Sequence, residues 1–222
     1  MSYLPAIEIE PVLPATAAVI WLHGLGADGH DFAPIVPELR LPTPLAVRFI
    51  LPHAPSIPVT INNGGIMPAW YDILAMDIER KVDEAQLRIS ATAIQALIDR
   101  EIARGIDSRR ILLAGFSQGG AVSYEAALTY SEPLGGLLAL STYFATATNI
   151  QPHPANRQLP IQVYHGSLDP VVPPALGHNA VTCLTAMGYQ PTFQDYPMEH
   201  AVCPEQIAHI GHWITQHLTP QP

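Results

Sequence analysis

Short runs that are apolar at every position alternate along this chain with longer stretches in which apolar residues recur every three or four places. Ala17-Ala18-Val19-Ile20-Trp21-Leu22 runs into His23-Gly24 and has the pattern of a strand covered on both faces. Val47-Arg48-Phe49-Ile50-Leu51 predicts a second strand. The Pro52, Pro55, Pro58, Gly64, Gly65 and Pro68 that follow predict a long irregular loop. Between Asp83 and Arg104, the positions Leu87, Ala91, Ile94, Ile98 and Ile102 share one helical face, and Gly105 stops the helix. Strands over 111–114, 137–140, 161–164 and 191–196 then alternate with helices over 119–130, 176–187 and 205–218. Such runs lack polar alternation, which predicts an α/β chain with a mostly parallel central sheet and helices on both faces. Open sheets of this kind bind ligands at the carboxyl ends of their strands. The chain length fits a single domain spanning residues 1–222.

One motif lies where the pattern directs attention. Gly115-Phe116-Ser117-Gln118-Gly119 matches Gly-x-Ser-x-Gly and sits between a predicted strand and a predicted helix, the nucleophile elbow of the α/β-hydrolase fold. A serine hydroxyl needs a base within hydrogen-bond reach and a third group to orient that base. In this fold the three follow the chain order serine, acid, histidine. Asp169 comes just after the 161–164 strand and is preferred as the acid over Asp195, which lies within the next strand. Of ten histidines, His200 is the candidate base, because it follows the last strand. His23 and His165 precede the elbow or the acid and suit structural roles, while His178, His209, His212 and His217 ride helices. The amides of Gln118 and of the segment His23-Gly24-Leu25-Gly26 are the candidate oxyanion donors.

Composition narrows the alternatives. Hydrophobic residues make up 48% and charged residues 13% of the chain, the balance of a packed globule. A net charge of -9 opposes nucleic acid and anionic lipid surfaces as partners. Arg104, Arg109 and Arg110 read as a solvated corner. No apolar run approaches membrane-spanning length and Met1 to Pro5 has no signal-peptide pattern, so a cytoplasmic address and no membrane insertion are expected. Cys183 and Cys203 are expected as free thiols. The histidine spacings supply no metal set, and neither metal nor cofactor is expected.

Taken together, Leu22-His23-Gly24-Leu25-Gly26, Pro52-His53-Ala54-Pro55, Met67-Pro68-Ala69-Trp70-Tyr71-Asp72, Gly115-Phe116-Ser117-Gln118-Gly119-Gly120 and the Asp169 and His200 loops resemble the bacterial carboxylesterase and acyl-protein thioesterase family, also described as the phospholipase/carboxylesterase family. The resemblance implies a triad of Ser117, Asp169 and His200, with Leu25 and Gln118 amides as the oxyanion hole. It also implies acyl recognition by Leu25, Met67, Trp70 and Val172, and homodimers in some members. One departure is Glu199, where the family often has glycine or methionine. It is either a solvated glutamate or a carboxylate that favours the charged imidazole of His200. Residues 141–160 are too few for a cap domain. The site is therefore expected to be open, roofed by the Pro58 to Trp70 segment, and suited to small and medium monoacyl carboxylic esters.

Overall fold

The computed structural model describes residues 3–76 and 80–219. Its elements in chain order are β1 (Ala6–Ile9), β2 (Ala17–Leu22), α1 (Gly29–Phe32), β3 (Val47–Pro52), β4 (Ser56–Val59), β5 (Gly65–Pro68), β6 (Ile73–Ala75), β7 (Lys81–Val82), α2 (Glu84–Ala103), β8 (Ile111–Phe116), α3 (Gln118–Thr129), β9 (Gly136–Leu140), β10 (Ile161–Gly166), α4 (Pro174–Ala186), β11 (Thr192–Tyr196) and α5 (Pro204–Leu218). The main sheet has the order β1-β3-β2-β8-β9-β10-β11. Within that sheet β1 runs antiparallel to β3, and β2, β3, β8, β9, β10 and β11 pair in parallel. This is the α/β-hydrolase fold, without a large cap.

Alternation in the central strands divides the core into two layers. In β2, Ala18, Ile20 and Leu22 pack with α2, α3 and α4 on one face, whereas Ala17, Val19 and Trp21 pack with α1 and α5 on the other. All six residues are buried, which is why the run carries no polar position. The α2 helix starts at the predicted place because the Asp83 side chain caps Gln86 N–H. It ends where Gly105 takes a φ of 96°.

Two sequence expectations are corrected. The stretch after β3 is not irregular throughout: β4 and β5 form an antiparallel hairpin in which Pro58 opposes Ile66 and Ser56 opposes Pro68. A two-stranded ribbon has only edges, and an edge tolerates the missing amide of proline. Nor are the basic residues near Gly105 all solvated. The fully buried Glu101 carboxylate accepts hydrogen bonds from Arg48 at 2.6 Å, Arg104 at 3.1 Å and Arg100 at 3.2 Å. Arg48 and Arg104 reach on to Glu10 and Glu8, so the network fastens β1 to α2. Arg110 donates to the carbonyls of Thr16 and Leu218, and of the three only Arg109 has a largely exposed side chain. Cys183 and Cys203 are free thiols. Among the described residues no helix is long and apolar enough to cross a membrane.

Removing the carboxylate from this network leaves three guanidinium groups facing one another around a buried gap. Glu101→Ala is expected to lower unfolding stability by about 3 kcal/mol, the scale for breaking a buried ion pair from one side. Urea denaturation measures it, and a loss below about 1 kcal/mol would mean that water already screens the cluster.

Candidate active site

Five strand ends converge on one edge of the sheet. The residue after β8 is Ser117, with φ 53° and ψ -121°, a left-handed conformation that L side chains seldom adopt. Two glycines make the turn possible. A Cβ on Gly115 would come within 2.5 Å of Gly119 O, and one on Gly119 within 2.4 Å of His23 O. The neighbouring strand holds the turn: Ser117 N–H donates to Leu140 O at 2.9 Å, and the Thr142 hydroxyl donates to Ser117 O at 2.6 Å.

Asp169 and His200 come from the loops after β10 and β11. His200 Nε2 lies 2.9 Å from Ser117 Oγ, and His200 Nδ1 lies 2.6 Å from Asp169 Oδ2. The other Asp169 oxygen accepts the amides of Val171 at 2.9 Å and Val172 at 2.8 Å. Burial pushes the Asp169 pKa up, but the bond from His200 and the amides of Val172 and Val171 outweigh it and hold the pKa below its ordinary value. An ionised carboxylate can only accept, so His200 carries its proton on Nδ1 and turns the Nε2 lone pair to the serine hydroxyl. Asp195 is exposed on β11. Glu199 is exposed, and no hydrogen bond joins it to His200 among the described residues.

The two loops approach closely because of a glycine that the motif reading passed over. Any Cβ on Gly166 would sit 2.4 Å from the carbonyls of Met198 and Glu199. Leu168 N–H donates to Met198 O at 3.1 Å and fixes the acid loop against the base loop. Thr142, at the end of β9, was likewise missed, although its strand lies between those that supply Ser117 and Asp169.

His23 and His165 are buried and structural in placement. His23 lies 2.7 Å from Gly24 O through Nδ1 and accepts Ala54 N–H at Nε2. His165 donates from Nε2 to Val172 O at 2.8 Å and so steadies the acid turn. Burial lowers the pKa of both rings. Asp28, His30 and His53 bring one potential ligand atom each within 4.8 Å of one another, a grouping that sequence spacing did not reveal. Hydrogen bonding accounts for them without an ion: Asp28 caps α1 and also meets the His30 ring, and His53 Nδ1 accepts Gly29 N–H.

Ser117 and His200 open onto a cavity of about 500 Å³. Its wall is largely apolar, with Leu25, Ile61, Ile73 and Met76 among the residues toward the β4–β5 side, and Phe32 and Ile35 from the α1 region. Gly24, Leu25 and Gln118 also line it, and among the described residues the amides of Leu25 and Gln118 donate to no protein acceptor. Three residues expected to touch substrate sit elsewhere. Trp70 is 1% exposed and Val172 fully buried, and neither they nor Met67 line the cavity. A hollow of about 550 Å³ between α5 and Leu39 contains none of the triad.

The chain matches the Phospholipase/Carboxylesterase family model over residues 5–218. It is 41% identical to acyl-protein thioesterase 1 of Neurospora crassa, an alignment spanning 96% of this chain and 92% of that protein. It is 40% identical to acyl-protein thioesterase 1 of Gibberella zeae, over 93% of this chain and 92% of that one. The crystal structure of Zea mays acyl-protein thioesterase 2 superposes with a TM-score of 0.86 at 26% identity, covering 97% of this chain and 100% of the other. Two of these relatives are fungal and one is from a plant, so the bacterial affiliation expected from the motifs is not borne out.

The two buried imidazoles have a consequence for stability. Their ordinary pKa is 6.5 and the folded values are lower. Below pH 6.5 the unfolded chain binds protons that the folded chain refuses, so stability falls with pH until the folded values are reached. The slope is at most about 1.4 kcal/mol per pH unit for each histidine. Urea midpoints should drop between pH 7 and pH 5.5, and less steeply in His165→Gln. A slope that His165→Gln leaves untouched would show that this imidazole does not titrate between the two states.

Proposed function

We propose that this chain, which belongs to the phospholipase/carboxylesterase family and is an ester hydrolase, is an acyl thioesterase that removes hydrophobic acyl groups through Ser117, His200 and Asp169. The observation that carries the reading is the continuous hydrogen-bonded path from Asp169 Oδ2 to Ser117 Oγ, at 2.6 Å and 2.9 Å, ending in an apolar cavity. The expectation of small soluble oxyesters gives way to thioesters because relatives at 40% and 41% identity are acyl-protein thioesterases. Oxyesters remain substrates of the same chemistry.

The reaction divides into two acyl transfers. His200 Nε2 takes the hydroxyl proton as Ser117 Oγ bonds to the acyl carbon, and the carbonyl oxygen becomes an oxyanion facing the amides of Leu25 and Gln118. The tetrahedral carbon expels the thiol sulfur, His200 returns the proton, and Ser117 keeps the acyl group as an ester. Water then repeats the attack with His200 as base and frees the acid. Asp169 stays ionised and stabilises the imidazolium that forms in each half. A thiol is more acidic than an alcohol and leaves as thiolate with less help. The site therefore asks less of His200 as an acid when the substrate is a thioester.

A fluorophosphonate probe is expected to label the wild-type protein and not Ser117→Ala. Asp169→Asn should lower kcat by about 10⁴-fold with little change in KM, because the amide stabilises the wrong imidazole tautomer. Labelling that persists in Ser117→Ala would move the nucleophile elsewhere. The apolar wall predicts a second dependence. Burying each methylene contributes about 0.8 kcal/mol, which is about fourfold in kcat/KM, until the cavity is full. A series of straight-chain acyl thioesters run beside matched oxyesters tests this, and a flat profile would remove the acyl-binding role of the cavity.

A further inference from the structure

The two oxyanion donors sit on different parts of the chain, Leu25 in the loop after β2 and Gln118 at the first turn of α3. Their spacing must hold to a fraction of an ångström for both to reach one oxygen. What joins them is a third segment, Pro68 to Tyr71. On one side Gly26 N–H donates to Pro68 O at 2.8 Å, and the Trp70 indole N–H donates to His23 O at 2.8 Å. On the other, the Gln118 side chain is 1% exposed; its Oε1 accepts Trp70 N–H at 2.8 Å and its Nε2 donates to Tyr71 O at 2.6 Å. The Ser90 hydroxyl donates to Trp70 O and backs the segment from α2. His23 O also lies where a Cβ on Gly119 would be, so this carbonyl is wedged between the indole and the start of α3.

We propose that the Gln118 side chain and the Trp70 indole form a brace that sets the distance between the Leu25 and Gln118 amides, making both positioning residues for oxyanion stabilisation. Neither side chain touches substrate. This inference rests on the serine acyl-transfer reading above and gives one residue two separable functions, the backbone N–H of Gln118 at the reacting oxygen and its carboxamide behind it. Five of the hydrogen bonds made by Pro68, Trp70 and Tyr71 have their other partner within two residues of an oxyanion donor or on α2; the Ala69 amide, bonded to Pro55 O, and the Tyr71 hydroxyl, bonded to Tyr143, tie the segment to its surroundings. The brace also explains why the tryptophan of Met67-Pro68-Ala69-Trp70-Tyr71-Asp72 is turned inward instead of facing the cavity.

The test separates geometry from folding. Gln118→Met keeps the side-chain length and burial but cannot accept from Trp70 or donate to Tyr71; Trp70→Phe keeps a ring and removes the donor to His23. For both, kcat/KM on a neutral chromogenic ester should fall about 10- to 100-fold, carried by kcat, as a partial loss of the 10²- to 10³-fold effect of one oxyanion donor. Affinity for an alkyl trifluoromethyl ketone, which forms an anionic hemiketal with Ser117, should weaken by the same factor. Affinity for the matching unfluorinated ketone should not change. Equal weakening of both ketones, a trifluoromethyl ketone that binds as in wild type, or unimpaired kcat in either variant would overturn the brace. Circular dichroism and thermal melts confirm that each variant is folded; should one unfold, the other carries the test. A wild-type protein that hydrolyses no ester and binds neither ketone would instead remove the underlying catalytic reading.

Discussion

A serine at φ 53° is a backbone that the chain left to itself would avoid, at a cost of about 1 to 3 kcal/mol. The conformation persists because its surroundings leave no alternative. Leu140 takes the Ser117 amide, and Thr142 together with the first turn of α3 takes its carbonyl. The flanking glycines let Gly119 O and His23 O occupy the space that side chains would fill. Every other distance in the site follows from this turn. It sends the hydroxyl above the sheet edge, starts α3 so that its first amide is free, and packs the start of α3 against His23 O at the end of β2.

The parallel register extends that order outward. The strands β8, β9, β10 and β11 are adjacent, and the residues just beyond them are in turn Ser117, Thr142, Asp169 and His200, with Leu25 beyond β2. Charge is rationed along this row. The carboxylate is held ionised by three donors, while the buried imidazoles of His23 and His165 are held neutral by desolvation. His200, with its side chain 16% exposed, meets the cavity. The ionised Asp169 carboxylate thus stands behind the His200 ring, which separates it from Ser117 Oγ.

Much of this is legible in the sequence, and the exceptions share a cause. Sheet strands buried on both faces announce themselves, and β2, β3, β8, β9 and β10 fall where apolar runs predicted them. The edge strand β1 has Glu8 in its centre and was invisible, because its support comes from arginines about ninety residues later in sequence. The β4–β5 hairpin was hidden by prolines that forbid an interior strand but not an edge. In the site, order along the chain singled out Ser117, Asp169 and His200, and the geometry joins them by hydrogen bonds. Thr142 and Gly166 carry no motif letter of their own. Their importance lies in a contact with the adjacent loop, which single-sequence reading does not resolve. The family resemblance implies Trp70 as an acyl contact, whereas its indole N–H, which demands a partner when buried, is the clue to its inward place.

The order in which the strand ends acquire their residues also sets when the site first exists. A chain emerging from the ribosome displays Ser117 first, Asp169 some fifty residues later, and His200 about thirty residues after that. α5, which closes one face of the sheet over Trp21 and Leu138, comes later still. Ser117 therefore has neither Asp169 nor His200 to complete its hydrogen-bonded path until β10, β11 and the loops after them have been made. The sheet edge and the hydrogen-bonded site on it are thus completed by the same strands.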